Sequence, residues 1–245
     1  MPTRREFLEA SLLAAPLATG GDAAVAAPAR LHVIAVGGHP DDPETGCGGT
    51  LARASAAGHR VTIVYLTRGE RGIDGATLEA AATTRTAEAE QACRILGATP
   101  VFAGQIDGAT EITHERVERF TAIVAGLAPD VLLTHWPIDT HLDHQVASLL
   151  SFRAWLALEQ RFALCCFEVN AGEQTRGFAP TDYVDITPVV DVKRRAVLAH
   201  VSQGGEAILR EYHEPMASFR GREIGVRAAE AFVRMTGRQA VLPLG

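Results

Sequence analysis

The stretch Leu31-His32-Val33-Ile34-Ala35-Val36-Gly37-Gly38-His39-Pro40-Asp41-Asp42 decides the reading of this chain. Its first half is an apolar, β-branched run with the length of a buried strand. Its second half is a turn carrying an imidazole and two carboxylates. Side chains at the C-terminal end of a strand lie where open α/β sheets place their sites. His39 and Asp42 stand three apart with Pro40 between them. Proline fixes its own φ and holds the preceding residue extended. A tight turn there can bring His39 and Asp42 onto one cation. Asp41 then points to one side, close to the cation but not on it, where a general base belongs. An Asp-Asp pair alone would do no more than cap the next helix. His39 and a second cluster far along the chain change that reading.

The second cluster is His141-Leu142-Asp143-His144. It follows a turn at Ala128-Pro129-Asp130, a short apolar strand at Val131-Leu132-Leu133-Thr134 and a loop from His135 to Thr140. The two histidines are three apart where a helix starts, so both can face one pocket. One can ligate; the other can donate a proton or stabilise an oxyanion. The residues alone leave open which does which. Asp143 can orient an imidazole through its outer nitrogen. Together the two clusters form a donor set suited to catalytic zinc, with three protein groups and a fourth position for water. Iron, cobalt and manganese accept the same donors.

Working outward, strands and helices alternate. Val61 to Leu66 is a second strand. Gly49 to Ala57 is an alanine-rich helix ended by Gly58, and Leu78 to Leu96 a longer one ended by Gly97. A third strand begins at Val101-Phe102, and Thr113 to Leu127 is a helix with a threonine cap. Phe162 to Val169 supplies another strand, and Pro188 to Arg238 reads as mainly helical. The expected fold class is α/β: a Rossmann-like, mostly parallel sheet with helices on both faces and a helical C-terminal part. No internal repeat or linker divides residues 30–245, which are read as one domain.

The motifs resemble those of the PIG-L/LmbE-like zinc deacetylases. That family's first motif stands here as Gly38-His39-Pro40-Asp41-Asp42-Pro43-Glu44, and its His-x-Asp-His motif as His141 to His144. The resemblance implies His39, Asp42 and His144 as metal ligands, Asp41 as general base and His141 as the electrophilic or acid partner. Weaker echoes are Thr67-Arg68-Gly69-Glu70, Arg85-Thr86-Ala87-Glu88 and Asp107-Gly108. They imply substrate contacts from Arg85 and Asp107. Tyr183 to Thr187 and His200 to Gln203 are also family-like, with no catalytic role assigned. In two places the chain departs from the family: Pro43 displaces the acidic residue that follows Asp-Asp, and Asp139 stands where some members carry a tyrosine. The implied activity is metal-dependent removal of an N-acetyl group from an N-acetylglucosamine-type sugar or glycoconjugate. Two other readings use the same residues: an amidase for a non-sugar or S-conjugate amide, and a noncatalytic zinc- and sugar-binding module.

The first 29 residues are a separate device. Thr3-Arg4-Arg5-Glu6-Phe7-Leu8 is a twin-arginine pattern, Ser11 to Ala18 is apolar, and Ala27-Pro28-Ala29 is a small-residue cleavage site. These features read as a twin-arginine export signal leading to the periplasm or beyond. The apolar run is far short of the roughly 20 residues that span a bilayer. The net charge of −6 argues against nucleic acid or an anionic membrane as the main partner. A small-molecule or glycan substrate fits better, and composition leaves the oligomeric state open. Cys47, Cys93, Cys165 and Cys166 show no Cys-x-x-Cys spacing, so a structural zinc site is not expected. Gly46-x-Gly48-Gly49 faintly resembles a nucleotide-binding turn, but it lacks Gly-x-Gly-x-x-Gly and an acidic residue after the second strand. His32, His59 and His114 read as structural or solvated. His135, just before Trp136-Pro137, stands where it could line the site.

Overall fold

The computed structural model describes residues 30–171 and 173–236. The twin-arginine pattern and its cleavage site lie outside the described residues. The sheet has seven strands: β1 (His32–Gly37), β2 (Arg60–Tyr65), β3 (Thr99–Phe102), β4 (Val131–His135), β5 (Ala163–Phe167), β6 (Asp182–Asp185) and β7 (Ala229–Arg234). Their order is β3-β2-β1-β4-β5-β7-β6. The first five are parallel, and β7 runs antiparallel between β5 and β6. From β1 the chain winds outward to β2 and β3, then returns to lay β4 on the other side of β1. The switch point is therefore between β1 and β4, where doubly wound sheets open a crevice at the strands' C-terminal ends.

Every residue of β1 and β4 is buried, which explains why both read as unbroken apolar runs. Alternate side chains enter two cores. Val33, Ala35, Ile63 and Leu133 pack on one face with α1 (Asp42–Ala56), α2 (Leu78–Leu96) and α5 (Val190–Leu198). Ile34, Val36, Val64 and Leu132 pack on the other with α3 (His114–Leu127) and α4 (Leu142–Ala157). Helices thus cover both faces. The C-terminal part continues through a short α6 (Gly205–Ile208), a π-helical turn at Leu209–His213 and α7 (Glu214–Ile224). It then ends in β7, a strand that the helical reading of Pro188 to Arg238 does not anticipate. All four cysteines are buried free thiols, with Cys165 and Cys166 turned to opposite sides of β5.

Helices α2 and α3 form as their caps dictate. Thr77 accepts from the amide of Ala80, Thr113 from that of Arg116, and Gly97 closes α2 in the left-handed region at φ 67°. Helix α1 departs from expectation. It starts at Asp42, not Gly49, with Pro43 in its first turn, where a missing N–H costs nothing. Its glycines serve packing. A side chain on Gly46 would collide with the Phe167 ring, and a Cβ on Gly49 would lie 2.6 Å from Ile186. The helix kinks at Cys47 (φ −143°, ψ 15°). Just beyond the kink, the buried carboxylate of Glu230 on β7 accepts from the amides of Gly49 (2.8 Å) and Thr50 (2.7 Å) and from the Thr50 hydroxyl (2.7 Å). Lys193 Nζ of α5 donates to the same carboxylate at 2.6 Å. Glu230 thus acts as a remote N-terminal cap for the second half of α1.

Candidate active site

The crevice at the β1/β4 switch point collects the polar groups. The turn after β1 is closed on itself: the His39 amide donates to Asp42 Oδ2 at 2.7 Å. His39 Nδ1 lies 3.3 Å from that oxygen. Across the crevice, His144 Nε2 lies 3.2 Å from Asp42 Oδ1. His135, the last residue of β4, puts Nε2 3.2 Å from Asp42 Oδ2 and stacks on His144 with ring centroids 4.0 Å apart. One buried carboxylate therefore faces three imidazoles. Burial would raise its pKa, but His144, His135 and His39 outweigh that and hold it well below the usual range.

The outer nitrogens of His39 and His144 face further carboxylates. His39 Nε2 lies 3.0 Å from Asp143 Oδ2 and 3.3 Å from Asp107 Oδ1. His144 Nδ1 lies 3.2 Å from Asp139 Oδ1. Asp143 is fixed in turn by the Thr110 hydroxyl at 2.6 Å and the Gly108 amide at 2.7 Å. Asp139 accepts from the His141 amide at 2.8 Å and the Thr175 hydroxyl at 3.2 Å. An imidazole with one nitrogen turned to a shared carboxylate and the other to a fixed one is oriented as metal-binding histidines are. Burial opposes protonation of His39 and His144, yet the carboxylates around them win and raise both pKa values, that of His144 to about 9. A divalent cation among Asp42, His39 and His144 would replace those protons, and the donor set fits zinc.

Three overlapping groups bring ligand atoms within 4.8 Å of one another: His39 with His141 and His144, Asp42 with His135 and His144, and His39 with Asp107 and Asp143. The expected ligands His39, Asp42 and His144 are joined through the Asp42 carboxylate. His141 caps α4, its Nδ1 accepting from the Asp143 amide at 3.3 Å. Its ring centroid lies 4.6 Å from that of His39 and 4.7 Å from that of His144. Burial, then His39 and His144, push its pKa down, so it is neutral. With Nδ1 accepting, the proton sits on Nε2, which is left to donate.

Residues 34–155 match the family model of GlcNAc-PI de-N-acetylase, PIG-L. Diacetylchitobiose deacetylase of Thermococcus kodakarensis is 30% identical over 216 residues, which cover 81% of this chain and 80% of the relative. The chain belongs to the PIG-L family. The PIG-L fold extends to a solved N,N'-diacetylchitobiose deacetylase from Pyrococcus horikoshii, with a TM-score of 0.74, 25% identity and 83% of each chain covered. A further relative is 4-oxalmesaconate hydratase of Pseudomonas putida, 27% identical over 86% of this chain and 89% of its own.

In this PIG-L chain the remaining expected site residues fall in different surroundings. Asp41 has φ 109°, a left-handed conformation that costs a non-glycine residue on the order of 1–3 kcal/mol. That strain turns its carboxylate away from Asp42 toward Arg85, 3.3 Å away. Burial raises the Asp41 pKa to about 6 against the pull of Arg85. Arg85 itself is only 3% exposed and donates to the Pro40 carbonyl. It is walled by Gly69 and Gly72, whose missing side chains leave room for its guanidinium. The structure therefore places Arg85 beneath the Pro40-Asp41 turn, where it touches Pro40 and Asp41. Asp107 does face the crevice, beside His39, with its other oxygen taken by the Arg71 amide at 3.0 Å.

Asp139 escapes sequence reasoning in this PIG-L site, whereas His135 lies at the site it was expected to be able to line. Asp139, read as the replacement for a tyrosine, orients His144. His135 is fully buried against Asp42, with burial and then His144 pushing its pKa down to about 4. Its position as the last residue of a switch-point strand was the available signal. No single spacing marks either one, because loop closure onto Thr175 and ring stacking on His144 create their roles.

Proposed function

We propose that this chain is a metal-dependent hydrolase that removes an N-acetyl group from an N-acetylglucosamine-type sugar or glycoconjugate. The observation that carries the reading is the buried Asp42 carboxylate facing His39 and His144, each oriented by a further carboxylate, with Asp41 held apart on a strained turn. A divalent cation bound by His39, Asp42 and His144, zinc being our choice, would polarise the amide carbonyl and acidify an attacking water. Asp41, with a pKa near the working range, takes the proton from that water and passes it to the leaving amine. His141 donates from Nε2 to the oxygen on which charge develops. Asp143 and Asp139 keep the ligating rings in place. Asp107 borders the crevice, where Oδ1, beside His39, can accept a further hydrogen bond from a sugar hydroxyl. The deacetylases among the relatives support the substrate class.

The similarity to a hydratase gives a second reading, because an aspartate base beside a cation can also add water to a carbon–carbon double bond. The test is a panel of N-acetylglucosamine, diacetylchitobiose, non-sugar acetamides and 4-oxalmesaconate, assayed for free amine and for hydration, beside elemental analysis for one metal per chain. We expect amine release from the sugar amides. In Asp41→Asn the metal should be retained and turnover should fall on the order of a hundredfold or more. Hydrolysis of non-sugar amides only would reject the sugar, and hydration only would reject the deacetylase. Binding of metal and sugar without any reaction would leave a noncatalytic module. We also propose that Arg4 and Arg5 direct export by the twin-arginine route.

A further inference from the structure

A cavity of about 350 Å³ lies outside the crevice, between α5, the π-helical turn, α7 and the start of β7. That is the size of a small-molecule site, with room for roughly a dozen water-sized groups. None of the residues lining it is a proposed ligand, base or acid of the crevice. Ile186, Val190, Leu209 and Ala217 give it an apolar wall. Its polar groups are only partly satisfied. Lys193 is buried and donates to Glu230 at 2.6 Å. An ammonium carries three hydrogens, and the other two have no acceptor among the described residues. A buried cation with one partner calls for a second. Arg227 is exposed at the rim and its side chain has no partner among the described residues. His213 supplies the opposite function. Its Nε2 lies 3.0 Å from Asn170 Oδ1. Asn170 gives its Nδ2 to Gln174 Oε1 at 3.0 Å, so Oδ1 accepts and the imidazole proton sits on Nε2. Burial, then Lys193, pushes the His213 pKa down to about 3, so the ring is neutral. Nδ1 is therefore an acceptor, without a partner among the described residues and not sealed from solvent. The π-helical turn places Leu209 and His213 in the lining of one cavity, and such turns are frequent at functional sites.

We propose that this cavity binds a small hydroxycarboxylic acid with a short apolar body. The carboxylate takes the free hydrogens of Lys193 and the guanidinium of Arg227. The hydroxyl donates to His213 Nδ1, and the alkyl body lies on the apolar wall. The charges agree with an anion. Three cations line the cavity, Lys193, Arg194 and Arg227, against two carboxylates, Asp191 and Glu214. Glu214 is already bonded to Arg194. Asp191 is exposed, where salt screens its repulsion. A neutral sugar would leave Lys193 and Arg227 without a counter-charge, and an amine would meet them as a like charge. The cavity shares Lys193, His213 and Ala217 with a smaller hollow that reaches Thr45 and Gly46 of α1. An acid held by Lys193 is thus one hydrogen-bonded step from Glu230, the cap of the helix that carries Asp42. Binding there is independent of which reaction the crevice catalyses.

Isothermal titration calorimetry of the zinc-loaded full chain with leucic acid, a branched hydroxy acid, tests this. One equivalent should bind with a Kd of about 1 mM or tighter. Isocaproic acid, which lacks the hydroxyl, and the corresponding diol, which lacks the carboxylate, should each bind about tenfold more weakly or worse. Arg227→Ala should weaken leucic acid by about tenfold. Ala217→Phe, which fills the cavity, should abolish binding with an unchanged circular-dichroism spectrum. Arg227 has no partner to lose, so Arg227→Ala carries the test if Ala217→Phe does not fold. No binding to the wild type at millimolar acid would overturn the proposal. Binding that survives the folded variants, or that disappears on dialysis against chelator, would overturn it too, since the acid would then sit on the metal. A diol that binds as tightly as the acid would reject the carboxylate site.

Discussion

At the scale of the residue, the distinction between Asp41 and Asp42 is made by backbone conformation. The two carboxylates are adjacent in sequence, and the positive φ at Asp41 sends them to different partners, imidazoles for one and a guanidinium for the other. If Asp41 is the base of the proposed reaction, Arg85 acts on that reaction through it. Arg85→Ala is expected to lower kcat by up to about a hundredfold, the cost of a misplaced catalytic group, with KM little changed. Arg85→Lys should recover part of it. Steady-state kinetics on the active substrate decide, since a raised KM with intact kcat would return Arg85 to substrate binding. Asp139→Asn should keep activity at saturating metal but weaken metal affinity about 10–100-fold, measured by competition with a chromogenic chelator. The meeting of His39, Asp42 and His144 in one crevice was legible because their spacing within two short motifs is the signal. Asp139 was not, because its place beside His144 comes from what the fold lays against it, and His135 was legible only as a residue that could line the site.

At the scale of the element, helix α1 joins the site to the far edge of the sheet. Its first turn carries Asp42, its kink sits at Cys47, and Glu230 satisfies the amides the kink exposes. Glu230→Ala would leave Lys193 buried without its partner and two amides without acceptors. The loss is expected to be about 3–5 kcal/mol, read from urea denaturation, with Glu230→Gln less damaging. The caps at Thr77 and Gly97 made α2 legible to its ends. The start of α1 was obscured because Pro43 and the three glycines Gly46, Gly48 and Gly49 look like loop residues. They are tolerated because the proline lies in the first turn and two of the glycines meet Phe167 and Ile186. Strand β7 was hidden for another reason. Its run Ala229 to Val233 is short and bounded by arginines, and only its place between β5 and β6 makes it a strand.

At the scale of the whole molecule, a metal bound by the cluster of histidines and aspartates at the switch point would be coupled to folding. Stripping metal leaves protonated His39 and His144 crowded around Asp42, and a cation at 100 times its Kd adds about 2.7 kcal/mol to stability. Dialysis against chelator should therefore lower the thermal midpoint by roughly 5–10 °C, recovered on adding zinc. An unchanged midpoint would count against the site. Replacing Arg4 and Arg5 by lysine should strand precursor in the cytoplasm, followed by fractionation and immunoblot. The parallel, two-faced architecture was legible because alternating strand and helix patterns admit few topologies.

Glu230 also sets a timetable for synthesis. The helix bearing Asp42 leaves the ribosome 188 residues (230 − 42) before the carboxylate that completes it. A nascent chain halted before residue 230 has β1 to β4 and every proposed metal ligand, but α1 beyond its kink lacks its cap and β6 lacks the neighbour that ties it to β5. Completion of α1 therefore waits for release of Glu230. Ribosome-bound fragments ending before residue 230 should be cut by protease near Cys47, and fragments extended well past residue 234 should resist.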